Sequence, residues 1–293
     1  MGADQWVSAP KDERAAELTR MLTDPSIRAV VPPWGGAGTG LDILDQLDWD
    51  AIARADPTWV VGYSDSVAWM VPLTLRAGLA TLHGDNLADT PYRAPSGLVQ
   101  WIDFAMSDGS VTQRDSEISA TWQPLTDAEA TEWKSPAPRR WDLHGALSLE
   151  TEGILIGGCV EVLAGIVGTP YGDMSAFGKA QGPLIVYLEA AEESAFNICR
   201  YLHQMRYAGW FDSAVAVLIG STNAPAGGGA GGLAQRDAVL DALGDLHLPI
   251  VFDVEIGHVP PHLPLLNGAR AQLRITEREH TIIQSWEMQN EAR

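Results

Sequence analysis

Three polar residues of types that take part in nucleophilic or acid–base chemistry stand where apolar runs end. Ser64 follows the run WVVGY, Glu189 ends LIVYLE, and His258 follows VFDVEIG. A serine hydroxyl becomes a nucleophile when a neutral histidine accepts its proton and a carboxylate orients that histidine. If the fold brings the three run ends together, they supply a nucleophile, a general base and an orienting acid.

Each of these residues taken alone also has a structural interpretation. Ser64 can cap the helix that follows it, Glu189 can begin a helix whose dipole favours acidic side chains, and His258 can be an ordinary loop histidine. The local sequence GYSDS, residues 62–66, also fits a catalytic serine, but the pattern is loose and on its own favours the helix cap. Its glycine permits a sharp turn, and the amide after the serine then points at a developing oxyanion, as in a nucleophile elbow.

Apolar runs alternate with helical patterns in the first part of the chain. The runs IRAVVPP, TWVVGY and LATLHG are separated by segments with helical spacing. This alternation predicts a parallel sheet with helices on its faces. The runs GILIGGC, PLIVYLE and AVAVLIG and the alternating stretch 248–275 predict a second unit. The expected fold class is α/β, with a flavodoxin-like or Rossmann-like parallel-sheet domain and a mixed α/β domain.

A change of composition marks the expected domain connection. Residues 85–150 are rich in proline, polar residues and tryptophan. We expect an N-terminal domain with the nucleophile over 1–110, a tryptophan-rich interdomain loop over 111–150, and a C-terminal domain with the glutamate and histidine over 151–293.

The composition limits the classes of partner. The 293 residues carry 19 basic and 38 acidic side chains, a formal net charge of -19, which argues against nucleic acid or an anionic membrane as partner. Two distant cysteines suggest neither a disulfide framework nor a zinc motif. No signal peptide or membrane span is recognisable. We expect a soluble, cytoplasmic homodimer that acts on a small molecule and needs no metal or cofactor.

At this point the sequence resembles the serine peptidase family of LD-carboxypeptidases and microcin C self-immunity proteins. The matching stretches occur in the family's order and span most of the chain. They are KDERAAELTRMLTDPSIRAVVPPWGG, LDQLDWDAIARADPTWVVGYSDSVAW, LATLHG, GILIGGCVEVLAGIVGTPY, LIVYLEAAEES and GHVPPHLPLLNGA.

The resemblance implies a role for each candidate residue. Ser64 would be the nucleophile and His258 the general base. Glu189 would orient the histidine, with Glu192 as the alternative if the alignment is shifted.

The resemblance also implies an oxyanion hole. Its donors would be the backbone N–H of Asp65 and an N–H of Gly35 or Gly36, because a residue without Cβ lets the backbone approach the reacting centre closely. The glycine-rich WGGAGTG, residues 34–40, has alternative interpretations as a flexible turn or a phosphate cradle. It lacks the GK[ST] ending of a P-loop.

The chain departs from the family pattern in two places. Family members begin with a further strand and helix, and this sequence begins after them, so we expect either a shortened form or a true start upstream. The second departure is Asp85, which stands where the family usually has proline after the glycine.

The tryptophan-rich segment favours one branch of the family. An indole face stacks on a purine with about 1–3 kcal/mol, so Trp122, Trp133 and Trp141 predict a nucleotide-like group in the substrate. Arg140 could meet a phosphate or carboxylate. We therefore predict hydrolysis of an amide in an aminoacyl- or peptidyl-nucleotide analogue. The alternative that these tryptophans pack onto the protein body stays open. If they do, they give no reason to prefer a nucleotide-like substrate.

Three other functions remain open at this stage. One is LD-carboxypeptidase action on murein peptides, and another is a non-catalytic binder derived from a shortened family member. The third is an unrelated α/β regulatory domain in which GYSDS is only a helix cap. The presence of all three catalytic residue types argues against the last two.

Overall fold

The computed structural model describes residues 7–36, 38–89, 93–121, 134–228 and 231–287. Eight α-helices are present in these ranges: α1 Lys11–Thr23, α2 Trp49–Arg54, α3 Val67–Pro72, α4 Trp101–Ala105, α5 Val160–Leu163, α6 Met174–Gln181, α7 Ala195–Tyr207 and α8 Gln235–Leu243. Short 3₁₀ turns span Leu41–Ile43, Ser64–Ser66, Leu87–Asp89 and Gly244–Leu246, and a π turn spans Leu73–Ala77.

The same ranges contain fourteen strands. They are β1 Ala29–Val30, β2 Trp59–Gly62, β3 Thr81–His83, β4 Ser110–Arg114, β5 Ile118–Thr121, β6 Lys134–Pro138, β7 Asp142–His144, β8 Leu149–Cys159, β9 Leu184–Glu189, β10 Ala214–Gly220, β11 Ile250–Val254, β12 Leu265–Asn267, β13 Arg270–Ile275 and β14 His280–Ser285.

The first sheet carries the nucleophile. Its order is β1-β2-β3-β12, with β1, β2 and β3 parallel and β12 antiparallel to β3. The parallel arrangement confirms the fold expected for the N-terminal part. Strand β12 comes from the last third of the chain, so the C-terminal part completes the sheet of the N-terminal part.

The second sheet is mixed and has eight strands. Its order is β4-β14-β13-β8-β9-β10-β11-β7, and the four central strands β8 to β11 are parallel. Every residue of β9 is buried, as expected for a parallel strand covered on both faces. In β13, which lies between β14 and β8, exposed and buried residues alternate, because only one face of this antiparallel strand meets the core.

The segment 111–150 is not a simple loop. It contributes most of β4 and all of β7, the two outermost strands of the eight-stranded sheet, and it also forms the separate pair β5–β6. The expectation of a loop between two domains missed these strands, because short polar edge strands lack a long apolar run.

One glycine brings the two sheets together near the candidate site. Gly158, near the end of β8, has φ +152°, and a Cβ on it would lie 2.6 Å from Cγ1 of Val67 in α3. Helix α3 therefore packs directly on β8. Because β8 pairs with β9 so that Cys159 lies opposite Glu189, this contact places the start of α3 beside the end of β9.

Candidate active site

Ser64 lies at the turn between β2 and α3. It begins the 3₁₀ turn Ser64–Ser66 with φ +63°, a conformation that non-glycine residues adopt rarely and at a cost of about 1–3 kcal/mol. Strain of this kind is typical of a nucleophile elbow, in which the sharp turn presents the hydroxyl above the sheet. The turn predicted from GYSDS is therefore present.

His258 connects Ser64 with Glu189. Its Nε2 lies 3.1 Å from Oγ of Ser64, and its Nδ1 lies 2.8 Å from Oε2 of Glu189. If Nδ1 carries the hydrogen and donates it to the carboxylate, Nε2 is left to accept the serine proton. The structure thus brings His258 together with Glu189 and Ser64, which lie 69 and 194 positions before it in the sequence.

Glu189 is completely buried and is enclosed by glycine backbone. Gly257 has φ +88°, and a Cβ on it would lie 2.3 Å from Oε2 of Glu189. A Cβ on Gly220 would lie 2.8 Å from the Cβ of the same glutamate. The glycine before His258 is therefore required for the histidine loop to pass over the carboxylate.

Two opposing effects act on the pKa of His258. Burial lowers this pKa, whereas the charge of Glu189 and the hydrogen bond to it raise it, and the net result lies above the ordinary value of 6.5. The imidazolium that forms when the histidine takes a proton is thus stabilised by the glutamate.

Glu192, the alternative acid, lies elsewhere. Its side chain is exposed, and its backbone N–H donates to Oε1 of Glu161 at 2.9 Å. Glu161 accepts the backbone N–H groups of Ala191 and Glu193 as well, so it organises the loop after β9. Of Glu189 and Glu192, only Glu189 has a hydrogen bond to His258 in the structure.

The glycine-rich loop lies directly against the candidate nucleophile. A Cβ on Gly35 would lie 2.5 Å from Cβ and 2.9 Å from Oγ of Ser64. Gly36 has φ +119°, and a Cβ on it would lie 3.3 Å from Oδ2 of Asp65. This close approach is the arrangement that an oxyanion hole made by the loop backbone and the elbow amide requires.

The side chain of Asp65 holds this loop in place. The buried carboxylate accepts backbone hydrogen bonds of 3.0 Å from each of Gly38, Thr39 and Gly40. The sequence pointed only to the backbone N–H of Asp65. The Asp65 side chain also holds the loop, and the sequence contained a signal for this second role. The signal was an acidic residue after the serine, together with three successive amides of a glycine-rich loop.

We expect Gly35→Ala to lower kcat by about 10²–10³-fold, the loss typical of a disturbed oxyanion hole. The added methyl group overlaps Ser64, so either the loop or the elbow must move. Steady-state kinetics measure the loss, and thermal unfolding reports folding. Gly244→Ala is the matched control, because that glycine has φ -62° and open space where its Cβ would be. Unchanged kcat in Gly35→Ala would contradict the assignment of this loop.

The tryptophans predicted to bind substrate have different positions. Trp122 and Trp133 lie outside the described residues. Trp141 is only 3% exposed, its indole N–H donates to Glu255, and its ring stacks on His280 at a centroid distance of 6.1 Å. Trp141 therefore belongs to the core and offers no free face to a nucleobase.

Arg140 has acidic partners within the protein. Its Nε lies 3.6 Å from Asp115 and 3.4 Å from Glu117. These ion pairs take up the charge that was predicted to meet a phosphate or carboxylate of the substrate.

Trp34 is an aromatic residue that the sequence did not single out. Its side chain is 67% exposed, and it immediately precedes Gly35, where an added Cβ would lie 2.5 Å from Cβ of Ser64. An exposed indole therefore stands one residue from the loop position that approaches Ser64. Its position in the glycine-rich WGGAGTG was the only available signal.

Comparison with known proteins gives family matches on both parts of the chain. The LD-carboxypeptidase N-terminal domain matches residues 2–84, and the LD-carboxypeptidase C-terminal domain matches residues 152–273. A Streptomyces coelicolor protein named "Putative carboxypeptidase SCO6489" is 31% identical, covering 92% of this chain and 76% of its own length. A Bacillus subtilis protein named "Probable murein peptide carboxypeptidase" is 26% identical, covering 94% and 78%.

A similar solved structure is that of the microcin C7 self-immunity protein MccF in complex with glutamyl sulfamoyl guanosine. It has a TM-score of 0.78 and 20% identity, and the alignment covers 97% of this chain and 84% of that one. At this identity the likeness concerns the fold, and it agrees with the mixed α/β architecture described above.

Proposed function

Because the chain belongs to the LD-carboxypeptidase family and is thus a hydrolase of the serine peptidase class, we propose that it cleaves an amide bond in a small aminoacyl or peptidyl compound with Ser64, His258 and Glu189. One observation carries the proposal. His258 lies within hydrogen-bonding distance of both Ser64, at 3.1 Å, and Glu189, at 2.8 Å.

In the proposed reaction, His258 donates its Nδ1–H to Glu189 and accepts the Ser64 proton at Nε2 while Oγ attacks the substrate carbonyl carbon. The carbonyl oxygen becomes negatively charged and accepts hydrogen bonds from the backbone of Asp65 and of the glycine loop. The leaving nitrogen takes the proton from Nε2, and an acyl ester remains on Ser64. Water then attacks this ester and His258 takes its proton. His258 returns that proton to Oγ of Ser64 as the ester bond breaks, and the acid product leaves.

For the leaving group we propose a nucleotide-like moiety. The exposed indole of Trp34 supports this, because it stands next to the loop that contacts Ser64 and an indole stacks on a base with about 1–3 kcal/mol. Trp122 and Trp133 stay part of the proposal as predictions, whereas Trp141 and Arg140 do not. The microcin C7 self-immunity protein MccF, a structural neighbour, has been solved with glutamyl sulfamoyl guanosine.

A second candidate function is LD-carboxypeptidase action on murein peptides. The burial of Trp141 removes one reason for preferring a nucleotide, and a 26% identical relative carries the name "Probable murein peptide carboxypeptidase". A third possibility, a binder without activity, is disfavoured by the Ser64–His258–Glu189 contacts.

We expect an aminoacyl sulfamoyl-adenosine to be cleaved faster than a murein tetrapeptide in direct competition, followed by mass spectrometry. Trp34→Ala should raise KM for the nucleoside compound about tenfold through lost stacking and change KM for the tetrapeptide less than twofold. Trp133→Ala tests the predicted tryptophan segment in the same assay.

Tyr207→Ala is the matched control, because this exposed aromatic residue ends α7 and is not part of the candidate site. Faster cleavage of the tetrapeptide would move the protein to the murein branch. Tight binding of either compound without turnover would favour the binder.

A further inference from the structure

A second histidine–carboxylate pair lies beside the candidate catalytic residues. Nδ1 of His262 forms an ion pair with Asp85, and Nε2 of the same ring contacts the carbonyl oxygen of Gly257. Asp85 follows β3 of the first sheet, whereas Gly257 immediately precedes His258. One buried imidazole ring therefore joins the sheet that carries the nucleophile to the loop that carries the general base.

The two partners decide the protonation state of His262. A backbone carbonyl only accepts hydrogen bonds, and an ionised carboxylate does the same, so both ring nitrogens must carry hydrogen. Burial lowers the pKa of His262, but the charge of Asp85 and the hydrogen bond to it outweigh burial and leave this pKa above its ordinary value. Both acceptors, together with this raised pKa, favour the doubly protonated ring, an imidazolium paired with a carboxylate.

The carbonyl that His262 holds belongs to the peptide plane between Gly257 and His258. Gly257 has φ +88° and lies against the Glu189 carboxylate. Because glycine has no side chain, no side-chain contact of its own fixes this conformation. Rotation of this peptide plane changes ψ of Gly257 and φ of His258, so it redirects the His258 side chain relative to Ser64. The hydrogen bond from His262 opposes that rotation.

Tyr63 makes a further connection between the two histidines. Its ring centroid lies 4.7 Å from that of His262 and 5.1 Å from that of His258, both in edge-on geometry. Tyr63 directly precedes Ser64 in the chain. The nucleophile turn, the general base and His262 therefore pack as one cluster.

We propose that Asp85 and His262 are a positioning pair that sets the Gly257–His258 peptide plane and thereby holds Nε2 of His258 on Ser64. This inference rests on the proposed function of Ser64 and His258. It also gives a role to Asp85, the residue that departs from the proline usual at this place in the family. In the described structure no contact joins Asp85 or His262 to Ser64, so the pair is placed to position the catalytic groups, through the loop of His258 and the packing of Tyr63, and does not itself take part in the reaction.

The pair also acts on His258 electrostatically. The positive charge of His262 lowers the pKa of His258 and so opposes the larger effect of Glu189. Among the described residues, the groups that face His262 are Asp85 and Asp89 from the segment after β3, Tyr63 after β2, His83 at the end of β3, and His258 on its own loop. Loss of the His262 charge must raise the pKa of His258 and move the acidic limb of the kcat/KM profile to higher pH.

The first experiment needs no substrate. Long-range ¹H–¹⁵N spectra of the histidine rings are recorded on the whole protein between about pH 5 and 9. This range includes the ordinary histidine pKa of about 6.5. We expect both His262 nitrogens to be protonated at pH 7 and the His258 titration to move to higher pH in His262→Gln. A neutral His262 ring at pH 7 in the wild-type protein would overturn the proposal.

The second experiment is kinetic and uses the better of the two compounds named above. We expect His262→Gln to lower kcat by about 10²-fold with KM within threefold, because a misplaced catalytic group costs rate rather than ground-state binding. Asp85→Asn can keep one hydrogen bond to a neutral His262 ring, so we expect it to lower kcat by only about tenfold. The double variant should equal His262→Gln, since residues that act as one unit are not additive.

A matched control separates positioning from folding stability. His280, which is largely buried, and Asp115, which is buried, form another histidine–carboxylate pair, with 3.0 Å between Nδ1 and Oδ2, and neither has a proposed role in the reaction. His280→Gln and Asp115→Asn should lower the melting temperature and leave kcat and the acidic limb unchanged. Equal kinetic losses in both pairs, or an unchanged kcat in His262→Gln, would overturn the proposal.

Failure of the proposed function and failure of the Asp85–His262 positioning pair give different results. If the wild-type protein cleaves neither compound, the proposed function fails, and the ring spectra still decide whether His262 is a cation that shifts the titration of His258. If the wild-type protein is active and the Asp85 and His262 variants are equally active, only the positioning pair fails.

Discussion

Replacing Ser64 by alanine should lower kcat by about 10⁶-fold, which is the order of loss seen when the nucleophile of a serine protease is removed. The reason is chemical, because alanine has no oxygen to form the acyl intermediate while the side chain changes by one atom only. Substrate affinity, measured by calorimetry on the variant, should stay within threefold. Alanine keeps the same Cβ and therefore the same strained φ of +63°. The free energy of unfolding should therefore change little.

Ser66→Ala is the matched control for this prediction. Ser66 lies in the same 3₁₀ turn and is buried, but no contact joins it to His258 in the described structure. Its replacement should leave kcat within threefold. Turnover of Ser64→Ala close to the wild-type rate would exclude a serine mechanism.

Glu189→Gln should lower kcat by about 10⁴-fold, as expected when the acid of a triad is made neutral. The amide can donate to Nδ1 of His258 and so select the tautomer in which Nε2 carries the hydrogen and cannot accept the serine proton. The variant also loses the negative charge that raises the pKa of His258. The acidic limb of kcat/KM should therefore move to lower pH, opposite to the shift expected for His262→Gln.

The control for this prediction is Glu192→Gln, three residues later. That side chain is exposed and contributes only its backbone N–H to the contact with Glu161. Kinetics and circular dichroism of both variants separate loss of rate from loss of fold. A larger loss in Glu192→Gln than in Glu189→Gln would assign the orienting role to the other acid.

The sequence by itself determined the fold class and the candidate catalytic residues, because these depend on local patterns. A short apolar run among alternating helical segments predicts a parallel strand covered on both faces, and every residue of β9, which ends at Glu189, is buried. A glycine two positions before Ser64 permits a sharp turn wherever the strand lies. The resemblance to a known family added the roles of Ser64, Glu189 and His258, which no single residue pattern establishes.

Only the tertiary structure decided which side chains meet and which are available to a substrate. The Asp85–His262 ion pair joins residues far apart in the sequence, and neither neighbourhood contains a signal for the other. Trp141 and Trp34 are the same residue type, yet one is 3% and the other 67% exposed, because burial depends on which strands pack above them. Strand β12 joins the first sheet for the same reason: pairing between distant segments is selected by the packing of the whole chain, whereas local sequence sets only the tendency to form a strand.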